Sequence, residues 1–213
     1  LSSGISINPF RMIDQELAQG DDDYLVDCLA MLKSIISQMA RNETRLNDTE
    51  RGLIDQAVNA VWEAEGRHGT VDQIIEALKQ PEHPFAYDLA TSLLPFASTG
   101  TFGRFFLGDA NLDLSADLTV FELSDLAARE ELRGVVLTSV MFIASQVMRR
   151  MDRSIPKPLI IDEAWQMLKG GAMADFVETY SRTCRKYGGS LITATQSIHD
   201  YYKSEGSRAA LEN

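Results

Sequence analysis

The chain has 213 residues, of which 45% are hydrophobic and 24% are charged, proportions typical of a globular protein. Its formal net charge of -11 argues against a broad basic surface for DNA, because neutralising phosphates requires clustered lysine and arginine. Two cysteines, Cys28 and Cys184, are too few for a disulfide framework or a zinc site and indicate a reducing, cytosolic setting.

Two further features concern membranes and the chain ends. The longest nearly apolar run, residues 135–148, is shorter than the ~20 residues that cross a bilayer, so we expect no transmembrane segment. The chain begins at Leu1 instead of Met and stops inside a helix-like stretch at Asn213. We therefore expect it to be a piece of a longer protein.

Residues 20–97 are predicted to be all-helical. Apolar residues at steps of three and four predict helices over about 25–39 and 49–62, a third over 70–78, and a fourth from Pro84 onward. The third helix begins with the capping-box sequence Thr-Val-Asp-Gln. Residues 1–100 carry 7 basic and 16 acidic side chains, a net charge of -9. We therefore interpret 20–97 as an acidic helical insertion, and 1–19 as an extended start of the core that it interrupts.

After a glycine-marked loop at 98–103, strands alternate with helices from residue 118 onward. We predict strands over 105–107, 118–123, 159–162 and 190–196, and helices over about 129–150 and 172–187. Gly188 and Gly189 are typical of the end of the last helix. Strands that alternate with helices run parallel and are joined by right-handed crossovers. Residues 98–213 are therefore predicted to form an α/β core with a mostly parallel sheet.

An acidic pair, Asp162 and Glu163, directly follows the predicted strand 159–162, and Gln196 ends the next strand. If the strands are neighbours, these three side chains converge at the carboxyl edge of the sheet, where open α/β folds bind ligands. An Asp there can hold Mg²⁺ through water, a Glu can polarise an attacking water, and a Gln can orient it. The alternative is that the pair are simply solvated loop carboxylates.

Two arginines, Arg182 and Arg185, lie three residues apart just before Gly188, so on a helix they share a face. One interpretation is that they complement the helix C-terminus together with Lys186. The other is an arginine finger, which enters the nucleotide site of a neighbouring subunit and stabilises transferring phosphate charge.

Three consecutive motifs resemble those of the conjugative type IV secretion ATPases, in particular the pilus-assembly ATPases of F-like plasmids. They are Leu-Ile-Ile-Asp-Glu-Ala-Trp at 159–165, Ser-Arg-Thr-Cys-Arg-Lys-Tyr-Gly-Gly at 181–189 and Thr-Ala-Thr-Gln-Ser at 193–197. Residues 7–10 and 103–106 also resemble segments of that family. The resemblance implies a RecA-like P-loop NTPase core with a helical insertion, hydrolysing ATP to power pilus assembly and secretion or DNA transfer.

The resemblance also implies roles for individual residues. Asp162 and Glu163 look like the Walker B pair and Gln196 like the sensor glutamine, so these three would bind ATP and Asp162 would bind Mg²⁺ through water. Glu163, Gln196 and either Arg182 or Arg185 would act in hydrolysis. The family further implies a homo-hexamer, inner-membrane secretion components as partners, and a cytoplasmic location peripheral to the inner membrane.

One expected motif is missing. A phosphate-binding loop has the pattern Gly-x-x-x-x-Gly-Lys-Ser/Thr, and no Gly-Lys-Ser or Gly-Lys-Thr occurs in this chain. The family resemblance implies that the loop lies upstream of residues 7–10, so we expect it before Leu1. We therefore expect the chain alone to bind ATP poorly and to hydrolyse it slowly or not at all, because it lacks the main device that positions phosphate.

Two other functions fit parts of the sequence. A DNA-translocating or helicase-type motor would share the core and would need basic residues lining a channel, against which the acidic charge counts. A non-catalytic docking module would instead recruit a partner through the acidic helical block 20–97. These alternatives differ in salt-dependent DNA binding and in the effect of deleting that block.

Overall fold

The structure is a computed structural model that describes residues 6–41, 44, 46–112, 116–123, 126, 129–162, 180–181 and 184–195. The chain divides into two compact units. The first, which we call the helical unit, comprises Leu1–Asn42 and Leu46–Ser139; the second, the sheet unit, comprises Glu43–Arg45 and Val140–Asn213. The sequence-based division into an insertion at 20–97 and a core remains a prediction.

Five helices in the helical unit include the four that were predicted. They are α1 (Gln15–Gly20), α2 (Asp22–Ala40), α3 (Asp48–Glu65), α4 (Val71–Lys79) and α5 (Pro84–Leu93). The short helix α1 was not predicted. Helices α2 to α5 pack on one another and bury the apolar stripes read from the sequence, with Cys28, Leu32, Ile54, Ile74 and Leu89 at most 1% exposed.

Side-chain caps explain where these helices begin. The carboxylate of Asp21 accepts the N–H of Tyr24 at the start of α2. Asn47 and Glu50 form a reciprocal capping box at α3, which the sequence analysis missed. At α4 the Thr70 hydroxyl accepts the N–H of Gln73, as predicted. Each cap satisfies a backbone donor that the first turn of a helix leaves unpaired.

A partly buried ion-pair cluster ties three of these helices together. Arg41, directly after α2, pairs with Glu50 of α3 at 3.1 Å and with Asp88 of α5. Its guanidinium also donates to the hydroxyl of Ser92 at 2.8 Å. Glu50 is itself buried, so Arg41 provides the charge that makes its burial tolerable.

The predicted strand over 105–107 was wrong. Gly103–Phe105 is a turn of 3₁₀-helix, and Phe105 and Phe106 are both buried. The ring of Phe106 packs edge-on against Phe96 at 5.6 Å. Apolar residues here fill the helical core instead of pairing along a sheet, and a short apolar run does not distinguish these two outcomes.

The extended N-terminal segment belongs to the helical unit. The N–H of Ile7 donates to the carbonyl of Phe105 at 2.6 Å, and that of Asn111 donates to the carbonyl of Ser6. The Ser6 hydroxyl adds a bond to the carbonyl of Leu107. These bonds join residues about a hundred positions apart.

The predicted strand over 118–123 was also wrong. These residues form no strand in the described part of the chain, and Leu118 and Val120 are 78% and 77% exposed. The β-branched and aromatic composition that suggested a strand expresses a preference for a half-buried pleated surface. That preference does not produce a strand without a partner.

Helix α6 (Glu130–Arg150) confirms the long helix predicted over 129–150, and the division between the two units falls within it. Within the described residues, Glu131–Arg150 is long and apolar enough to cross a membrane by length and composition. However, 61% of its apolar window is buried inside the protein, and core helices commonly have this composition. Thr138 and Ser139 bond back to the carbonyls of Gly134 and Val135, which satisfies these polar groups in the helix interior.

Two parallel strands follow α6 in the sheet unit. They are β1 (Lys157–Ile161) and β2 (Gly189–Thr193), paired so that Leu159 lies opposite Leu191 and Ile161 opposite Thr193. This pairing confirms that the last two predicted strands are parallel neighbours. The pair is only partly buried, since Ile160 is 63% and Ile192 is 50% exposed; the apolar run at 159–161 had suggested a fully buried strand. One face of the pair therefore presents apolar side chains to the surface.

Candidate functional site

The carboxyl edge of the two-stranded sheet holds the first candidate residue. Asp162 directly follows β1 and is exposed. The N–H of Ala194 donates to the carbonyl of Ile161 at 2.9 Å, so Asp162 and the residues after β2 lie at the same edge. Hydrogen-bonded parallel strands enforce this alignment because their carboxyl ends point the same way. An exposed carboxylate in this place can bind a hard cation or its water shell.

Three other candidates, Glu163, Gln196 and Arg182, lie outside the described residues. Glu163 is next to Asp162 in the chain, and Gln196 follows the described residue Thr195, so both adjoin this edge in sequence. Their proposed convergence with Asp162 stays a prediction. Within the described residues, no group of three or more His, Cys, Asp or Glu side chains could hold a metal ion.

Arg185 lies at the opposite edge of the sheet. It belongs to a 3₁₀ turn, Cys184–Tyr187, that ends immediately before Gly188 and β2. Gly189 lies opposite Lys157, so Asp162 is five residues further along the sheet, roughly 17 Å at ~3.3 Å per residue, and the turn that precedes Gly189 is further away still. This separation is larger than the reach of an arginine side chain. Arg185 therefore does not reach the carboxyl edge of its own chain, and its action in a neighbouring subunit stays a prediction.

The turn that carries Arg185 is held at both ends. Cys184 is buried, and its thiol contacts the carbonyl of Ser181 at 3.6 Å. At the other end, the N–H of Gly188 donates to the carbonyl of Arg185. Gly188 has φ +73°, and a Cβ there would collide with the carbonyl of Arg153. Only glycine fits this position without strain, so the Gly-Gly pair predicted as a helix stop has a steric reason.

The side chains of Lys157 and Tyr187 make further contacts that stabilise the turn. The ammonium of Lys157 donates to the carbonyls of Asp152 at 2.6 Å and Tyr187 at 2.9 Å. The Tyr187 ring has three cations near it, from Arg149, Arg153 and Lys186, at 5.0, 5.7 and 5.6 Å from its centroid. The sequence analysis did not assign a role to Lys157 or Tyr187, because the contacts of Tyr187 with Lys157, Arg149 and Arg153 join residues 30 or more positions apart.

A buried tyrosine lies behind the turn. The Tyr180 hydroxyl is within 3.5 Å of the Met148 sulfur, and the residue is 4% exposed. Burial raises the pKa of Tyr180 to about 12, and the nearby Cys184 acts in the same direction. The phenol is therefore neutral at physiological pH and acts as a packing group.

The amino edge of the sheet is strongly basic in an otherwise acidic chain. Six basic residues fall within 149–157 and 184–189, against one acidic residue. They are Arg149, Arg150, Arg153, Lys157, Arg185 and Lys186. The acidic residue, Asp152, accepts the N–H of Ser154, and this hydrogen bond is the main reason that its pKa is lowered. Asp152 thus remains charged and offsets only part of the local positive charge.

Comparisons with known proteins extend these observations. Residues 67–213 match the TraG P-loop domain family. The chain is 30% identical over 189 residues to Protein TraC of Escherichia coli strain K12, covering 82% of this chain and 22% of that protein. It therefore spans about a fifth of the length of this relative.

A solved structure supports the fold. The chain is similar to VirB4 of Thermoanaerobacter pseudethanolicus with a TM-score of 0.70 and 22% identity, covering 96% of this chain and 57% of that chain. At this identity the likeness shows the fold alone, and it confirms the α/β, RecA-like architecture predicted from the sequence. Because the family match covers more than half of its residues, the chain belongs to the TraG P-loop domain family.

Proposed function

We propose that the chain is part of a motor ATPase that powers conjugative pilus assembly and type IV secretion or DNA transfer. Membership of a P-loop family and the similarity to TraC support this proposal. The observation that carries it is the position of Asp162, exposed at the carboxyl end of β1 beside a parallel neighbour. That edge is where nucleotide sites form in open α/β sheets.

Each of three side chains has its own role in the proposed hydrolysis of ATP. Asp162 holds Mg²⁺ through water, Glu163 polarises the attacking water, and Gln196 orients it and binds nucleotide together with the acidic pair. A magnesium ion fits a site with few protein ligands, because it retains several waters and takes phosphate oxygens as well. When bound, the ion neutralises charge on the phosphates of ATP.

A cation supplied by a neighbouring subunit completes the proposed site. Arg185 is exposed and too far from its own carboxyl edge, which favours action in trans, and Arg182 remains the competing candidate. An assembly in which each chain supplies an arginine to the next is heterologous, and such an interface forms a ring when its rotation closes. We propose a homo-hexamer on the cytoplasmic face of the inner membrane, bound to inner-membrane secretion components.

The nucleotide phosphates require a P-loop that this chain lacks. We propose that the P-loop precedes Leu1 in the intact protein and that the chain alone is inactive. The test compares ATP turnover by the chain with turnover by a version extended upstream to include a P-loop. Turnover in the extended protein alone is the expected result, and equal turnover by the chain alone would contradict the proposal.

The role of Glu163 is tested in the extended protein. Glu163→Gln removes the base while keeping the shape, and we expect turnover to fall by at least ~10²-fold. Glu63→Gln, the same change on an exposed residue of α3, is the matched control and should be neutral. Undiminished turnover by Glu163→Gln would eliminate this assignment.

A docking role for the helical unit is compatible with this motor function. Val26 is 65% exposed on the same side of α2 as the acidic residues Asp22 and Asp23. An apolar residue with a charged surround is typical of protein interfaces. If the unit recruits a partner, Val26→Ser should weaken binding of an inner-membrane component and leave ATP turnover unchanged. Unchanged binding would count against the docking role.

A further inference from the structure

The turn that presents Arg185 is fixed by groups that the proposed chemistry does not use. Cys184 and Tyr187 anchor its two ends, and the two residues between them, Arg185 and Lys186, are exposed. Within the described residues neither of these two cations forms an ion pair. The anchored backbone of this turn therefore fixes the point from which the Arg185 side chain extends.

The Tyr187 ring joins this turn to the end of α6. Arg149 is in the last turn of α6, Arg153 is in the loop after it, and Lys186 belongs to the turn itself. Each cation lies within 6 Å of the ring centroid, the distance at which the negative face of an aromatic ring attracts a cation. Without the aromatic ring, the three positive charges around it would repel one another, and this repulsion would displace the turn from the end of α6.

Lys157 adds three hydrogen bonds to the contacts around the turn. Its ammonium bridges the carbonyls of Asp152 and Tyr187, and its own N–H donates to the carbonyl of Gly188 at 3.1 Å. The first residue of β1 thus fixes both the last residue of the turn and the glycine that follows. A rotation of the turn would break the bonds to Tyr187 and Gly188, while the bond to Asp152 keeps the Lys157 ammonium in place.

We propose that Tyr187 and Lys157 are positioning residues that hold Arg185 in the orientation needed to enter a neighbouring subunit's nucleotide site. This inference rests on the proposed function and on Arg185 being the arginine that acts in trans. An arginine finger is worth ~10³–10⁵ in turnover rate, and a misplacement of about 1 Å can cost ~10²-fold. The groups that orient it therefore have a measurable catalytic effect without touching the nucleotide.

The experiment uses the extended protein that carries a P-loop and compares two substitutions at one position. Tyr187→Leu keeps the apolar bulk and removes the aromatic face, and we expect kcat to fall ~10- to 100-fold while KM changes by less than ~2-fold. Tyr187→Phe keeps the face and should restore kcat to within ~2-fold. Tyr87→Leu, at an exposed tyrosine of α5, is the matched control for the substitution itself.

A double-mutant cycle separates positioning from general destabilisation. If Tyr187 acts only through Arg185, Tyr187→Leu combined with Arg185→Ala should be no slower than Arg185→Ala alone, within ~3-fold. Multiplicative losses would overturn the proposal. If Tyr187→Leu does not fold, Lys157→Met carries the same cycle, because it removes the two ammonium bonds and leaves the ring in place.

Mixing two impaired proteins tests the action in trans. Subunits with Tyr187→Leu keep an intact acidic pair, and subunits with Glu163→Gln keep an intact Arg185. Mixed assemblies should turn over ATP faster than the sum of the two proteins assayed separately, and no gain would overturn the proposal. If the unmodified extended protein shows no turnover, the proposed function fails and this inference fails with it. If that protein turns over ATP normally but the losses from Tyr187→Leu and Arg185→Ala multiply, only this inference fails.

Discussion

The helical unit and the sheet unit use their charges in opposite ways. In the helical unit, acidic side chains cap helices or pair with Arg41, as the contacts of Asp21 and Glu50 show. In the sheet unit, the basic side chains of Arg149, Arg153 and Lys186 surround the Tyr187 ring, and Arg185 is exposed. Charge in the first unit stabilises its own packing, whereas for Arg185, at the amino edge of the sheet, we propose a role in a neighbouring subunit.

We expect Gly188→Ala to lower the free energy of unfolding more than the substitutions that follow. It tests the steric restriction at the end of the turn. The left-handed conformation costs a non-glycine residue about 1–2 kcal/mol, and the collision with the carbonyl of Arg153 adds about 1–3 kcal/mol. Hydrogen exchange should show lost protection at the amides of Lys157 and Ala194, which bond across the two strands.

Gly108→Ala is the matched control for that change. Gly108 has a similar φ of +75°, but a Cβ there meets nothing within 4 Å. It should show the conformational cost alone, about 1–2 kcal/mol. Equal destabilisation at both positions would mean that the contact with Arg153 contributes nothing.

Arg41→Met tests the ion-pair cluster of the helical unit. The substitution leaves the buried Glu50 carboxylate without its cation, and we expect the free energy of unfolding to fall by about 2–3 kcal/mol. Urea denaturation followed by Trp62 fluorescence measures it. Arg51→Met breaks the exposed pair with Asp48 and should cost no more than ~1 kcal/mol; similar losses for both would show that burial does not matter here.

Tyr180→Phe tests the buried phenol of the sheet unit through pH. Because the folded-state pKa of about 12 exceeds the ordinary value of 10, folding holds a proton that the unfolded chain releases between these values. This contribution to stability is complete below pH 10 and lost as pH rises toward 12, by about 3 kcal/mol at most. The phenylalanine variant should show a shallower decline in unfolding free energy above pH 10, and an unchanged slope would contradict the assignment.

Thr70→Ala should give the smallest effect, because it removes one cap from the helical unit. The lost bond to the N–H of Gln73 is worth about 1 kcal/mol at a helix N-terminus. Thr91→Ala, inside α5, removes a hydroxyl bonded to the carbonyl of Tyr87 and should be neutral or slightly stabilising, since alanine favours helix. Thermal unfolding midpoints distinguish the two outcomes.

The sequence predicted local features well and distant contacts poorly. Thr70 and Pro84 mark helix starts because such signals act within four residues, and the apolar runs around Leu159 and Leu191 identify the paired strands. The segments 105–107 and 118–123 were mistaken for strands because propensity cannot reveal whether a partner exists. At the site, Asp162 and Arg185 were identified from motif spacing, whereas Lys157 and Tyr187 depend on contacts that no local pattern encodes.

The position of the unit boundary has a practical consequence for dissecting the protein. Domains are usually separated at exposed linkers, but here the boundary between Ser139 and Val140 lies inside α6. Leu132 and Val135 before it and Met141 and Phe142 after it are all at most 1% exposed. Cutting the chain at this boundary would divide α6 into two halves and expose their apolar side chains to water. Either unit should therefore be expressed with the whole of α6, from Glu130 through Arg150.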